Sequence, residues 1–242
     1  MQDSAEENQP AVRRLIGMVR SPRATLAAAI RRPRSFDLAV LIVAVSTFCS
    51  VMFLITPIGR LAALDQEVRQ LESMGLAVTD QLYAQLRSWQ RYRPLLSAIG
   101  ILAGWPMLCA CLVLLIRWIA RATRNGAMEI HPTFAQVFSV IVHASSVLAL
   151  RSLVALPINF ARESLGGATS LATILPGFGD ATFAARLAGA VDVFVVWWVL
   201  LLALGLGMLY HIRAITVARW LFGAYATGAA ALALTQALRG GV

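Results

Sequence analysis

Five long apolar segments dominate the sequence and restrict what it can fold into. They cover approximately residues 36–56, 94–116, 134–156, 187–210 and 214–238. A helix of roughly 20 residues crosses a hydrocarbon core of about 30 Å. Only helices and closed barrels satisfy the backbone in hydrocarbon, and these segments are too continuous for barrel strands, whose lipid-facing and lumen-facing residues alternate. The sequence therefore predicts an all-α polytopic membrane protein with a bundle of five transmembrane helices.

The composition supports this class and excludes others. Hydrophobic residues make up 59% and charged residues 14% of the 242 residues, against roughly 45–50% and 25% in soluble domains. The three cysteines, Cys49, Cys109 and Cys111, all lie in apolar segments, which argues against a disulfide framework. Cys109 and Cys111 are also too close in sequence for a typical zinc-binding pair. No motif of hydrolases, nucleotide-binding proteins or metalloproteases is found, so we expect no enzymatic activity, no cofactor and no metal site.

Arginine placement predicts the orientation of the chain. The net charge is +9, and every basic residue is an arginine. With five spans, twelve arginines fall on the side of the N-terminus and eight on the other side, and Arg151 lies within the third span. Under the positive-inside rule this distribution predicts a cytosolic N-terminus and an external C-terminus. The N-terminus does not resemble a cleavable signal peptide, so the first span is expected to be retained.

Residues 1–35 are predicted to form a basic amphipathic arm in the cytosol, separate from a membrane domain over residues 36–242. Val12, Leu15, Ile16 and Val19 repeat with helical spacing, and Ser21-Pro22 is typical of the start of a second helix. The candidate lipid headgroup contacts of this arm are Arg13, Arg14, Arg20, Arg31, Arg32 and Arg34. They either bind anionic lipid, at about 1 kcal/mol per arginine near the surface, or serve only as the topology signal. Nucleic acid is not an expected partner, because no groove-reading motif accompanies the arginines.

Two connections between spans have helical character of their own. Residues 58–93 are predicted to form an external helical hairpin, with Gly75 ending its first helix and Thr79 capping its second. Residues 157–186 are half apolar and too short to span, which suggests a short interfacial or re-entrant helix. Pro157 is expected to kink or end the third span.

Arg151 and Asp192 are the costliest residues of the predicted spans, because a charge in hydrocarbon is unfavourable by at least roughly 2.5–3.5 kcal/mol near the centre. Each is expected about five residues inside its span, and the third and fourth spans run in opposite directions. Equal depth would allow the two side chains to form an intramembrane ion pair. Such a pair could lock two helices or line a path for a solute or proton; alternatively, Arg151 could extend to the interface alone.

Two further features are candidates for a role in the membrane. His143 lies near the middle of the third span, where an interhelical hydrogen bond is favoured over proton relay or metal binding. Gly100 and Gly104 form a GxxxG pattern in the second span, a spacing that permits close helix packing. The fourth span, with Gly205 and Gly207, and the fifth, with Ala224 and Gly228, also offer flat packing faces.

Three stretches together resemble the bacterial branch of the Yip1 family of integral membrane proteins. The first is Ser21-Pro-Arg-Ala-Thr25, followed by Arg32-Pro33 before the first span. The second runs from Pro132 through Phe134 and Phe138 to His143-Ala-Ser145, with His143 where tyrosine is expected. The third is Thr169-Ser-Leu-Ala-Thr-Ile-Leu-Pro176, followed by Asp192-Val-Phe194-Val-Val-Trp197 and a leucine-rich run to Gly205.

The resemblance implies five spans and a multi-pass protein of the bacterial cytoplasmic (inner) membrane. Eukaryotic members of the family resemble trafficking proteins that engage small GTPases, but no matching motif is present in this arm. We therefore expect a non-enzymatic protein that organises the membrane or binds a partner, with the bilayer, anionic lipid on the cytosolic face, and a membrane protein or a second copy as candidate partners. The alternative is a small solute or ion transporter or channel subunit that uses Arg151, Asp192 and His143.

Overall fold

The computed structural model describes residues 10–122, 132–174 and 191–239. Within these ranges the chain is all-helical and contains no named strand. In chain order the helices are α1 Ala11–Arg20, α2 Pro22–Arg31, α3 Phe36–Leu54, α4 Pro57–Ser73, α5 Asp80–Trp89, α6 Arg93–Ala122, α7 Phe134–Arg162, α8 Leu171–Ile174, α9 Val193–Leu209 and α10 Ala214–Arg239. A 3-10 turn, Gln90–Tyr92, joins α5 to α6.

Three helical stretches are long and apolar enough to cross a membrane. They are α3, the stretch Asp80–Arg121 that contains α6, and α7. The prediction of an all-α membrane protein is confirmed at this level. The fourth predicted span corresponds to α9, an apolar helix of 17 residues, and residues 187–190 of that prediction lie outside the described ranges. The fifth corresponds to α10.

Helix α7 is the centre of the bundle. Its residues from Val137 to Val147 are all buried except Phe138. Next to it α3 runs parallel, because Ser46 accepts a hydrogen bond from Ser152 at 3.5 Å and the rings of Phe53 and Phe160 meet at 4.9 Å. The buried face of α7 is thus covered by neighbouring helices rather than by lipid.

The other apolar helices alternate in direction around α7. Helix α9 is antiparallel to it, since Trp198 Nε1 donates to Ser145 Oγ at 3.2 Å near the start of α9. Helix α6 is antiparallel to α3, since the hydroxyls of Ser50 and Ser97 lie 2.7 Å apart. A tight turn with His211 at φ 55° reverses the chain from α9 into α10. The directions are those that successive membrane spans require.

The N-terminal helices pack into this bundle. Met18 of α1 and both Leu26 and Ala29 of α2 are buried. Leu26 lies between α7 and α9, against Val140 and Gly205. Ser21 occupies the N-cap position of α2 with proline after it, as the sequence predicts, although its side chain makes no capping bond. The residues of the predicted arm thus contribute to the bundle core.

The connection between α3 and α6 is a pair of helices, as predicted for residues 58–93. Thr56 caps α4 and Thr79 caps α5, each through its hydroxyl. Gly75 has φ 79°, a left-handed conformation that glycine adopts without strain. An ion pair of 2.8 Å between Glu67 and Arg93 joins α4 to the start of α6.

Pro157 was predicted to kink or end the third span, and the helix does not end there. Helix α7 continues through it to Arg162, because Leu156 and Phe160 pack against the end of α3 around Phe53 and hold the chain helical. The helix ends at Glu163 in a left-handed conformation. Of the predicted interfacial helix, only the four residues of α8 fall within the described ranges; residues 175–186 lie outside them.

Candidate functional site

Asp192 forms the start of α9 rather than lying inside it. Its Oδ1 accepts hydrogen bonds from the backbone N–H groups of Phe194 at 2.9 Å and Val195 at 3.3 Å. The prediction that Asp192 lies about five residues inside the fourth span is therefore wrong within residues 191–239, where the helix begins at Val193. Asp192 instead acts as an N-cap, and the positive end of the helix dipole favours its negative charge.

The second carboxylate oxygen of Asp192 binds Arg151, and the two residues form the pair that their positions in sequence suggest. Arg151 Nε donates to Asp192 Oδ2 at 2.7 Å. Thr169 Oγ1 donates to the same oxygen at 2.6 Å and accepts from Arg151 Nε at 3.1 Å. Sequence reasoning missed Thr169, whose signal was its place in the stretch that resembles the Yip1 family. We call these three residues the polar cluster.

Backbone pairing fixes Thr169 beside Asp192. The N–H of Val193 donates to the carbonyl of Thr169 at 3.1 Å, and the N–H of Leu171 donates to the carbonyl of Val191 at 2.9 Å. This antiparallel bridge folds the segment after α7 back along the start of α9. All three members of the polar cluster are therefore positioned by the main chain or by a helix.

The polar cluster lies deeper along α7 than the sequence suggests. Helix α7 continues for 11 residues beyond Arg151, which is about 16 Å at 1.5 Å per residue. The neighbouring Ser152 contacts Ser46, which lies midway along α3. The side chain of Asp192 is 19% exposed and that of Arg151 43%. An isolated charge in hydrocarbon is unfavourable, and the pairing of Arg151 with Asp192 lowers that cost where α7 meets α9.

His143 does not join the polar cluster. It lies eight residues before Arg151 on α7, about 12 Å along the helix axis, and it is 1% exposed. Its Nδ1 lies 2.7 Å from the carbonyl oxygen of Ser139, one turn earlier on the same helix. The interhelical hydrogen bond predicted for His143 is thus replaced, at Nδ1, by a bond within α7.

The six candidate headgroup arginines divide into two groups. Arg14 points inward: its side chain is 15% exposed, pairs with Asp37 at the start of α3, and donates to the carbonyl of Arg34. The other five are exposed, namely Arg13, Arg20, Arg31, Arg32 and Arg34, and Arg23 is exposed as well. Arg14 therefore links the N-terminal helices to the bundle, whereas the side chains of Arg13, Arg20, Arg31 and Arg32 lie exposed at its surface.

The glycines that the sequence suggests for helix packing differ in their surroundings. A Cβ built on Gly100 or Gly104 meets no atom within 4 Å. Close packing occurs at Gly205 of α9, where a Cβ would lie 2.5 Å from Val140 and 3.2 Å from Leu26. The difference arises because α6 lies at the edge of the bundle and α9 crosses both α2 and α7.

No group of three or more histidine, cysteine or acidic side chains within the described ranges could hold a metal ion. The polar cluster contains one carboxylate, one guanidinium and one hydroxyl, which bind each other. Comparison of the chain with protein-family models, with curated proteins and with solved structures finds no match.

Proposed function

We propose that the chain is a non-enzymatic, five-span protein of Yip1 type in the bacterial inner membrane, with a cytosolic N-terminus and an external C-terminus. Its role in this proposal is to organise the membrane or to bind a membrane-protein partner or a second copy. The alternating directions of α3, α6, α7 and α9 support the multi-pass arrangement. The Yip1 resemblance and the arginine distribution support the family and the orientation.

The observation that carries this proposal is the surface of α1. Ala11, Leu15 and Met18 pack toward the bundle. A second apolar row on an adjacent face is exposed: Val12 by 55%, Ile16 by 43% and Val19 by 46%. A short helix with an outward apolar row beside arginines is typical of helices that lie in the plane of the membrane interface. We call α1 and α2 together the N-terminal platform.

The positive charge of the platform also suits an anionic membrane surface. Exposed arginines flank the apolar row on α1 and continue through α2 and the segment that enters α3. Each contributes about 1 kcal/mol of attraction when it reaches an anionic leaflet. The Arg14–Asp37 pair links the platform to the bundle, and in this proposal the apolar row and the arginines of the platform meet the same leaflet.

A transporter or channel subunit is the second candidate, supported by the charged pair at mid-depth on α7. In a transport path Asp192 would offer a free carboxylate to a solute. Here both carboxylate oxygens accept hydrogen bonds from Thr169, Arg151 and the first turn of α9. His143 is buried and bonded within its own helix. These contacts favour a structural role for the three residues.

Lipid retention by the purified protein tests the platform. The wild type and the triple variant Arg13→Gln/Arg20→Gln/Arg31→Gln are reconstituted in nanodiscs of mixed phosphatidylglycerol and phosphatidylcholine. After transfer to mild detergent, the retained lipids are counted by native mass spectrometry. We expect the variant to lose most of the preference for phosphatidylglycerol. A matched triple variant on the opposite side, Arg69→Gln/Arg87→Gln/Arg91→Gln, should keep it. Equal retention by the wild type and the platform variant would refute the role of the platform.

A further inference from the structure

A cleft of about 290 Å³ opens at the end of the molecule opposite the N-terminal platform. It lies where α4 and α5 meet the start of α6. Both charged and apolar side chains line it, among them Glu67, Leu82, Leu86, Trp89, Arg93 and Leu96. Its volume is close to the lower limit of small-molecule sites, about 300 Å³, and it is open on one side.

The charged floor of the cleft has unused hydrogen-bonding capacity. Arg93 Nη2 donates to Glu67 Oε2 at 2.8 Å, and Gln90 Nε2 approaches the same oxygen at 3.4 Å. Within the described residues, Glu67 Oε1 accepts no hydrogen bond, and Arg93 Nε and Nη1 donate none. The two side chains are 30% and 36% exposed, so ligands can reach them. The floor therefore offers an anionic acceptor next to cationic donors.

An apolar track leads away from this floor along α6. Arg93 is the first residue of the helix, and Leu96, Ile99 and Leu102 follow at intervals of three residues with 50%, 53% and 55% exposure. Each lies about 60° further around the helix than the one before it, so the track winds obliquely over the surface of α6. Above the track, Trp89 is 54% exposed, as is usual for aromatic residues at a membrane interface. A charged floor beside an exposed tryptophan and an apolar row suits the junction between lipid headgroups and acyl chains.

We propose that the cleft binds the headgroup of an aminophospholipid, with a primary ammonium and a phosphate. The phosphate accepts hydrogen bonds from the free guanidinium N–H groups of Arg93, which suit phosphate geometry. The ammonium donates to Glu67 Oε1, and one acyl chain follows the track beginning at Leu96. A choline headgroup has no N–H to donate and satisfies only the phosphate half of the site. The proposal requires that α6 crosses the membrane and is independent of the role of the platform.

A lipid panel on the wild-type protein provides the first test. The purified protein in phosphatidylcholine nanodiscs is mixed with nanodiscs of phosphatidylethanolamine, its N-methylated and N,N-dimethylated forms, or phosphatidylglycerol, and retained lipids are counted by native mass spectrometry. We expect phosphatidylethanolamine and its two methylated forms, which all keep an N–H group, to be retained in preference to phosphatidylcholine, by about tenfold, the value of one hydrogen bond to a charged group. Equal retention across the series would overturn the assignment of Glu67.

Variants then separate the two halves of the site. Glu67→Gln should bring phosphatidylethanolamine down to the level of phosphatidylcholine, and Arg93→Gln should lower both. The exposed neighbours Glu72 and Arg87 provide the controls Glu72→Gln and Arg87→Gln, which should match the wild type. Free phosphoethanolamine should not compete at lipid-equivalent concentrations, because it lacks the acyl chain. Full competition by it would overturn the apolar track and indicate a site for a soluble ligand. Platform variants should leave this preference unchanged.

Discussion

Three hydrogen-bonding side chains hold α7, α9 and the segment between them together at one point. The carboxylate of Asp192 accepts from Arg151, Thr169 and two backbone N–H groups. Loss of Arg151 would leave this carboxylate with its cap and its threonine but without a countercharge. Loss of Asp192 would leave a guanidinium at mid-depth without an anion. The energetic cost therefore belongs mainly to the unpaired charge, not to the missing contact.

A double-mutant cycle measures this. Arg151→Ala and Asp192→Ala should each lower the thermal stability of the protein in detergent, by the equivalent of about 2–4 kcal/mol. The double variant should be no less stable than the worse single variant, since neither charge is then left alone. Simple additivity of the two losses would contradict a coupled pair.

Glycine packing gives a second prediction at this scale. Gly205→Ala should destabilise the protein by about 1–3 kcal/mol, because its methyl group would press on Val140 and Leu26 where α2, α7 and α9 cross. Gly100→Ala is the matched control, since its methyl group meets open space on α6. The measurement is the thermal unfolding temperature of both variants in the same detergent. Equal stability of the two would mean that α7 and α2 do not pack on α9 at Gly205 as described.

The pairing of Arg151 with Asp192 could be predicted from sequence, because two charges in antiparallel apolar segments have few other partners. The role of Thr169 could not, since it depends on how the segment after α7 folds back. The capping role of Asp192 was not predicted either. Apolar residues both precede and follow it, so the sequence does not mark the start of α9.

Among the elements, α1 and α2 differ most from expectation. Their helical character and the break at Ser21-Pro22 follow from the sequence. Their packing into the bundle does not, since it requires two apolar faces on α1 instead of one and a glycine on α9 to receive Leu26. The inward position of Arg14 follows from the same packing.

The Arg14–Asp37 pair should control how firmly the platform is held. Asp37→Asn should increase the rate of limited trypsin cleavage after Arg20 and Arg23 several-fold, because it weakens the link between α1 and α3. Asp65→Asn provides the control, since Asp65 pairs with Arg69 within the exposed surface of α4. Peptide mapping by mass spectrometry gives the cleavage sites. Unchanged cleavage in Asp37→Asn would mean that apolar packing alone holds the platform.

For the whole molecule, the arrangement of α3 and α6 can be tested by cross-linking. In a background with Cys49, Cys109 and Cys111 replaced by alanine, Ser50→Cys/Ser97→Cys should form a disulfide under mild oxidation, because the two hydroxyls lie 2.7 Å apart. Ser97→Cys/Ser139→Cys should not form a disulfide. Ser139 lies near the start of α7, at the end of the bundle away from the start of α6, where Ser97 lies. A gel-mobility shift shows the cross-link, and its absence in the first pair would contradict the antiparallel contact.

Membrane topology is the second whole-molecule prediction. Alkaline phosphatase fused after Val242 should be active, because the proposed topology places the C-terminus on the external side of the inner membrane. A fluorescent protein fused before Met1 should mature in the cytosol. Active phosphatase at the C-terminus requires an odd number of spans after a cytosolic N-terminus. An inactive C-terminal fusion that is expressed and inserted would contradict five spans.

The long apolar segments predicted the all-helical membrane class and the approximate positions of five helices. Some helix ends differ from the predicted ends of the spans. Helix α7 continues past Pro157 because its last turns pack on α3, and α6 extends to Ala122. Directions and order follow from alternation along the chain. Which helix occupies the centre did not follow from hydropathy, because α3, α6 and α7 are all apolar while only α7 is largely buried.

The lengths of α3 and α6 set a relation between this protein and bilayer thickness. Helix α3 has 19 residues, about 28 Å, whereas the 24 residue steps from Arg93 to Arg117 on α6 span about 36 Å. The far end of α6 is fixed by a hydrogen bond from Arg117 to the carbonyl of Pro132 at 3.0 Å. A bilayer matched to α3 leaves α6 longer than the hydrocarbon core, and the helix accommodates the excess by tilting, by kinking or by local thickening of the bilayer. Hydrophobic mismatch thus acts directly on the helix that leads to the cleft of Glu67 and Arg93.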